Sequence, residues 1–189
     1  MKPEFINSIP TSNLVLPVAK RDHIQGLIGA PLTLVEYGDY ECPYCGAAYP
    51  VVKEIQERLG DQLCFVFRNF PLVNAHPHAQ NAAEAAEAAG AQGRFWEMHD
   101  MLYENQQALE DEDLARYATA LGLDVRRLMA DVEADAHLAR VREDFKSGVR
   151  AGVNGTPTFF VSGVRYDGPP GVDAMIAAIT RRAKKSLRE

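Results

Sequence analysis

The sequence predicts an α/β domain interrupted by an all-helical block, and three observations carry that reading. Two apolar runs of strand length, Leu32–Tyr37 and Cys64–Phe67, flank an amphipathic stretch, Val51–Leu59, which gives a strand-helix-strand unit. From His76 to Val153 the pattern changes to Ala-rich segments dotted with Glu and Arg, punctuated at Ala89-Gly90, Gln92-Gly93, Leu121-Gly122 and Gly152. Strand signals then return at Thr158–Val161 and Val164–Tyr166, before a last helix from about Val172 to Leu187.

Residues 1–30 carry Pro3, Pro10 and Pro17 around the short apolar run Leu14–Val18 and suggest an arm with one candidate edge strand there. Leu32–Tyr37 is apolar on both alternating faces apart from Thr33 and Glu36, the pattern of a strand covered by helices on both sides. Gly38-Asp39 breaks it. Pro43 suits a first helical position, where its missing N–H is not needed, and Val51, Val52, Ile55 and Leu59 recur at helical spacing. A helix is therefore expected from about Pro43 to Arg58, kinked at Pro50, which removes an internal donor. Cys64–Phe67 with Phe70 forms the next buried strand, reached by a right-handed crossover. Glycine-marked ends divide the central block into four or five helices, and Ser162-Gly163 joins the last two strands as a tight hairpin. The expected division is an arm over 1–30, an α/β domain over 31–74 and 153–189, and a helical insertion over 75–152.

A chain of 189 residues with 47% hydrophobic content suffices for one core carrying an inserted subdomain. Its formal net charge of −6 repels phosphate backbones and argues against a general nucleic-acid role; the basic tail Arg181–Arg188 reads as the solvated face of a terminal helix. No stretch approaches the roughly 20 apolar residues of a membrane span, so membrane insertion is not expected. The N-terminus lacks a basic segment leading into an apolar one, which as written favours the cytoplasm, whereas a processed form fits the periplasm.

Three cysteines cannot all pair within one chain, and two of them stand three apart, which favours a catalytic pair over a structural disulfide framework. Cys42-Pro43-Tyr44-Cys45 lies between the first strand and its helix, the context that gives a Cys-x-x-Cys pair thiol–disulfide chemistry. At the helix N-cap, Cys42 meets free N–H groups and the positive end of the helix dipole, which favour a thiolate and make it the nucleophile. Cys45, one turn later, is the resolving thiol, and Pro43 and Tyr44 between them are potential tuners of the pair. Glu36 interrupts an apolar strand, so its carboxyl should have a raised pKa and could relay the proton of Cys45; the alternative places it at a strand end, reaching solvent.

The other candidates read as structure. Cys42 and Cys45 are also half of a zinc site, but the remaining ligand types are Cys64 and scattered histidines, so no metal is expected. Cys64 sits in an apolar strand and should be inert. His76-Pro77-His78 has the look of a ligand pair yet reads as the lead-in to a helix. Phe95, Trp96 and Met98–Leu102 have the spacing of a helical core, with a substrate-contacting lip as the alternative. Thr156-Pro157 precedes an apolar strand, where spacing alone favours an ordinary trans-proline turn.

Leu34-Val35-Glu36-Tyr37-Gly38-Asp39-Tyr40-Glu41-Cys42-Pro43-Tyr44-Cys45 resembles the DsbA-like branch of the thioredoxin superfamily. So do Phe67–Leu72 with His76–Ala79 and Gly93–His99, and Gly155-Thr156-Pro157-Thr158-Phe159-Phe160. The resemblance implies a thioredoxin-like fold with an inserted helical domain, active-site cysteines at Cys42 and Cys45, the buried acid at Glu36 and a cis-proline at Pro157. It places Pro157 beside Cys42 and leaves the Thr156 backbone free to pair with an extended substrate peptide. Tyr44 stands where the family's best-known oxidant has histidine, which points to intermediate oxidising strength.

The expected function is a thiol–disulfide oxidoreductase exchanging disulfides with protein or peptide thiols through a Cys42 mixed disulfide and recycled by a redox partner that the sequence does not identify. It needs no cofactor beyond the Cys42–Cys45 pair. A monomer is expected, since only about 30 residues precede the core where family isomerases carry a dimerisation domain. The alternatives are a peptide-binding holdase using the groove beside Pro157, a glutathione-linked transferase or isomerase of the same fold, and a metal-binding protein.

Overall fold

The computed structural model describes residues 13–186. Chain order gives β1 (His23–Gly26), β2 (Leu32–Gly38), α1 (Pro43–Leu59), β3 (Leu63–Asn69), α2 (Ala79–Gly90), α3 (Phe95–Glu104), α4 (Asp111–Ala120), α5 (Val125–Glu133), α6 (Leu138–Arg150), β4 (Thr158–Val161), β5 (Val164–Tyr166) and α7 (Val172–Ser186). The strands form one sheet in the order β1-β3-β2-β4-β5. β2 and β3 run parallel across the α1 crossover, and the other neighbours are antiparallel. The fold is thioredoxin-like α/β, with five helices between β3 and β4.

Alternation along β2 sorts its side chains into two cores. Leu32 and Leu34 face the first, shared with Cys45, Val52 and Ile55 of α1 and Met175 and Ile179 of α7. Val35 and Tyr37 face the second, where Val66, Phe70 and Phe160 are covered by Phe145 of α6. Burial on both faces explains the near-continuous apolar sequence of β2 and β3, each fully buried Leu, Val or Phe contributing about 1.5–3 kcal/mol. Phe95, Met98 and Leu102 of α3 lie in the first core, and the Trp96 indole donates to the Ile24 carbonyl at 3.2 Å, so this segment is core rather than lip. The Ser162-Gly163 turn has both residues at positive φ (46° and 79°), the geometry of a tight two-residue hairpin. Pro50 lies inside α1 without ending it. The side chains of Arg181 and Arg182 are exposed as expected; the rest of the basic tail, like Pro3 and Pro10, lies outside the described side chains.

The edge strand is a correction. It is β1, His23–Gly26, antiparallel to β3, and not Leu14–Val18. Arg68 explains the difference. Its buried guanidinium uses all five N–H groups: two on the Asp22 carboxylate (2.9 and 3.0 Å), one on Tyr37 Oη (3.0 Å) and two on the carbonyls of Leu16 and Pro17 (2.9 and 3.2 Å). Carbonyls committed to Arg68 are not available to a ladder, and Leu14 and Val18 pack on the second core instead. Among the described residues the arm meets the sheet edge at the Asn13–Val164 bridge, where Leu14 N donates to the Gly163 carbonyl at 2.7 Å.

Candidate active site

The site forms where β2 ends and the chain turns through residues 39–42 into α1. Asp39, which the sequence marked only as a breaker, organises the turn. Its buried carboxylate accepts from Glu41 N, Leu72 N and His76 Nδ1, each at 2.8 Å, and its carbonyl accepts from Cys42 N at 3.2 Å. His76 is thereby spent on Asp39, which lifts its pKa against the opposing effect of burial, while His78 approaches Glu110 at 3.6 Å. The two histidines face different carboxylates.

Cys42 is the N-cap of α1, with extended backbone (φ −71°, ψ 121°), and Pro43 is in the first turn. Its thiol donates to the Thr156 carbonyl at 3.4 Å, and the Thr156-Pro157 bond is cis. The chain thus brings together residues 114 apart in sequence. The Cys42 pKa is held down to about 5, first by a hydrogen bond from the Cys45 thiol, then, against burial, by the Thr156 side chain and the backbone N–H groups of Cys45 and Tyr44. Open N–H groups at a helix start are free to do this. Cys45 behaves oppositely. It is fully buried, and burial, its bond to Cys42 and the charges of Glu36 and Cys42 push its thiol well above the usual range. Both cysteines are free thiols.

Glu36 is 2% exposed, which removes the solvent-reaching alternative. Burial, with the Cys42 charge second, pushes its carboxyl up to about 8. It lies on the α1 side of the sheet, level with Phe67 of β3 and Phe159 of β4. Cys64 is buried in β3, and burial raises its thiol pKa, in keeping with an inert side chain.

Two contributions from the helical block had no sequence reading. The Gln106 amide, in the α3–α4 turn, donates to the carbonyls of Tyr40 (2.8 Å) and Cys42 (2.9 Å). It lies so close to α1 that a Cβ on Gly46 would overlap the amide oxygen. A glycine inside a helix costs about 1 kcal/mol relative to alanine, so Gly46 was the available hint of a close approach. The other is Tyr103, buried beneath α1.

Beside the thiols an apolar groove of 380 Å³ is lined by Tyr44, Ala47, Val51, Pro157, Phe159 and Met175. Tyr44 is 75% exposed at its rim. A larger cleft of 460 Å³ opens between Gln25 of β1 and Lys53 and Gln56 of α1, and none of the residues above lines it.

Residues 19–181 match the family described as Thioredoxin. The chain is similar to BdbD from Bacillus subtilis (TM-score 0.81, 23% identity, 92% of this chain and 97% of that one). It is also similar to a thioredoxin-like oxidoreductase from Silicibacter pomeroyi DSS-3 (TM-score 0.77, 28% identity, 88% and 94%). Among curated proteins it is 48% identical over 169 residues to Na(+)/H(+) antiporter NhaA 1 of Mycobacterium sp. (strain KMS), covering 88% of this chain and 28% of that protein. For the Na(+)/H(+) antiporter NhaA 1 of Salinispora arenicola the figures are 47%, 89% and 26%. The chain therefore spans little more than a quarter of the length of these curated relatives. On the family match the chain belongs to the thioredoxin family, and it shares its architecture with these solved structures.

Proposed function

We propose that the protein is a thiol–disulfide oxidoreductase acting on protein or peptide thiols through a mixed disulfide at Cys42. The observation that carries this reading is the opposed pair: a sulfur held as thiolate at about pKa 5 beside a buried sulfur held as thiol. In the oxidising direction a client thiolate attacks Cys42 of the disulfide, Cys45 leaves and takes a proton from Glu36, and a second client thiolate then attacks the client sulfur, forming the client disulfide and releasing the Cys42 thiolate. In the reducing direction the Cys42 thiolate attacks a client disulfide and expels one client thiolate, Glu36 takes the Cys45 proton, and Cys45 attacks Cys42 to release the second client thiolate. The disulfide carries the electron pair in both directions, so no further cofactor is required. The apolar groove holds the client chain next to Cys42, and the Thr156 backbone aligns it. Glu36, Pro43, Tyr44 and Pro157 support the two sulfurs.

The test is trapping. A Cys45→Ser variant, challenged with a disulfide-bonded peptide, should accumulate a Cys42 mixed disulfide readable by mass spectrometry. Cys42→Ser should give none. A trapped adduct in neither variant would favour simple peptide holding, and one at Cys64 would overturn the assignment.

The likeness to one part of the antiporter sequences favours a second reading, of setting rather than chemistry: the module works beside a membrane transporter. No helix of the described residues is long and apolar enough to cross a membrane, so the transporter must lie outside them. Co-purification from membranes with an antiporter would support this setting, and recovery only in the membrane-free fraction would count against it.

A further inference from the structure

Two buried polar atoms beneath α1 have no hydrogen-bond partner among the described residues: Glu36 Oε1 and the Tyr103 hydroxyl. A buried polar group without a partner costs about 1–3 kcal/mol, so two such groups close together are favourable only if they serve one another. Strand alternation places them close. Glu36 and Gly38 share one face of β2, about 6.6 Å apart along the strand. Over Gly38 lies Tyr103: a Cβ there would stand 2.7 Å from the hydroxyl and collide with the Phe67 ring. The hydroxyl therefore occupies the side-chain position next to that of Glu36 on the same face.

The ring is fixed there by Tyr49, Tyr40 and His99, at centroid distances of 5.4, 4.9 and 5.0 Å. The titratable and charged groups that face it are Cys45 and Tyr49 of α1, Glu36 of β2, Asp39 and Tyr40 of the following turn, and His99 of its own helix. Tyr40 Oη is already bonded to His99 Nδ1 at 3.1 Å, and Asp39 is saturated by three N–H groups. Burial, then the charges of Cys45 and Glu36, push the Tyr103 phenol well above its usual range, so it keeps its proton and remains a donor.

We propose that Tyr103 is a positioning residue for the Cys45 proton: its hydroxyl donates through one bridging water to the Glu36 carboxylate and holds it ready to receive that proton. The inference rests on the exchange reading above. In the step concerned, the Cys45 S–H proton passes to Glu36, and the Cys45 sulfur bonds to Cys42. The Cys42–client S–S bond breaks, and the client leaves as a thiolate that is protonated by solvent.

Tyr103→Phe keeps the ring and its stack and removes only the donor. Titration of the Glu36 carboxyl by ¹³C NMR should then rise by about one unit above its position near 8, because a hydrogen bond to an ionised carboxylate is lost. Release of a peptide from the Cys42 mixed disulfide at pH 7 should slow about tenfold, by the same conversion. The Cys42 thiolate titration should not move. In a Glu36→Gln background, Tyr103→Phe should add nothing further. An unmoved Glu36 titration, or losses that simply add in the double variant, would overturn the proposal. If wild-type protein formed no mixed disulfide the exchange reading would fail, and the carboxyl titration would still decide the role of Tyr103.

Discussion

At pH 7 a Cys42 pKa near 5 gives about a hundredfold more thiolate than thiol. The sign of its effect is fixed by linkage. A depressed folded pKa contributes stability to the reduced protein that is fully present above the unfolded value, 9, and lost as pH falls through about 5. Glu36 runs the other way: its contribution is fully present below 4.5 and is lost as pH rises through about 8. Thiolate absorbance of the reduced protein should therefore titrate with a midpoint near 5. The midpoint should move up in Cys45→Ala, because the Cys45 hydrogen bond is the largest contribution to the depression. A midpoint above about 8 in the unaltered protein would contradict the account. At this scale the sequence exposed Cys42, Cys45 and Glu36, because a cysteine pair at a helix start and an acid within an apolar strand are local patterns. Thr156 and Pro157 were reached only through resemblance. Gln106 and Tyr103 were hidden, since Gln106 bonds to carbonyls 66 and 64 residues away and Tyr103 carries the ordinary spacing of a helical core.

Among the elements, β2, α1, β3, β4, β5 and α7 were legible because buried strands and amphipathic helices announce themselves by period. β1 was not. Its residues, His23-Ile24-Gln25-Gly26, carry one apolar side chain and stay partly exposed, as befits an edge, while the longer apolar run nearby serves packing. What holds the arm in place is Arg68. Arg68→Met should leave the buried Asp22 carboxylate without its two-pronged partner, with Arg21 still at 3.7 Å, and cost about 3–5 kcal/mol, read as a lower urea midpoint with unchanged slope. The double change Asp22→Leu with Arg68→Met should recover most of that loss, since an apolar pair has no charge to desolvate. A loss under about 1 kcal/mol in the single variant would show that the pair does not anchor the arm.

In the whole molecule, the sheet and the helical block meet over the thiols. The sheet supplies Glu36 and the Thr156 carbonyl, α1 supplies both sulfurs, and the helical block supplies Gln106 and Tyr103. Ionisation of Cys42 at pH 7 favours the reduced form by up to about 2.7 kcal/mol over an un-ionised thiol, with solvent screening lowering the figure. For a two-electron couple that corresponds to about 60 mV towards the oxidising side. The measurement that tests the central claim most directly is the equilibrium reduction potential of the Cys42–Cys45 pair in glutathione buffers, taken in a Cys64→Ala background. The account predicts a value between those of thioredoxin, about −270 mV, and DsbA, about −120 mV. A value below −270 mV, or failure of the pair to form a disulfide in any buffer, would contradict it.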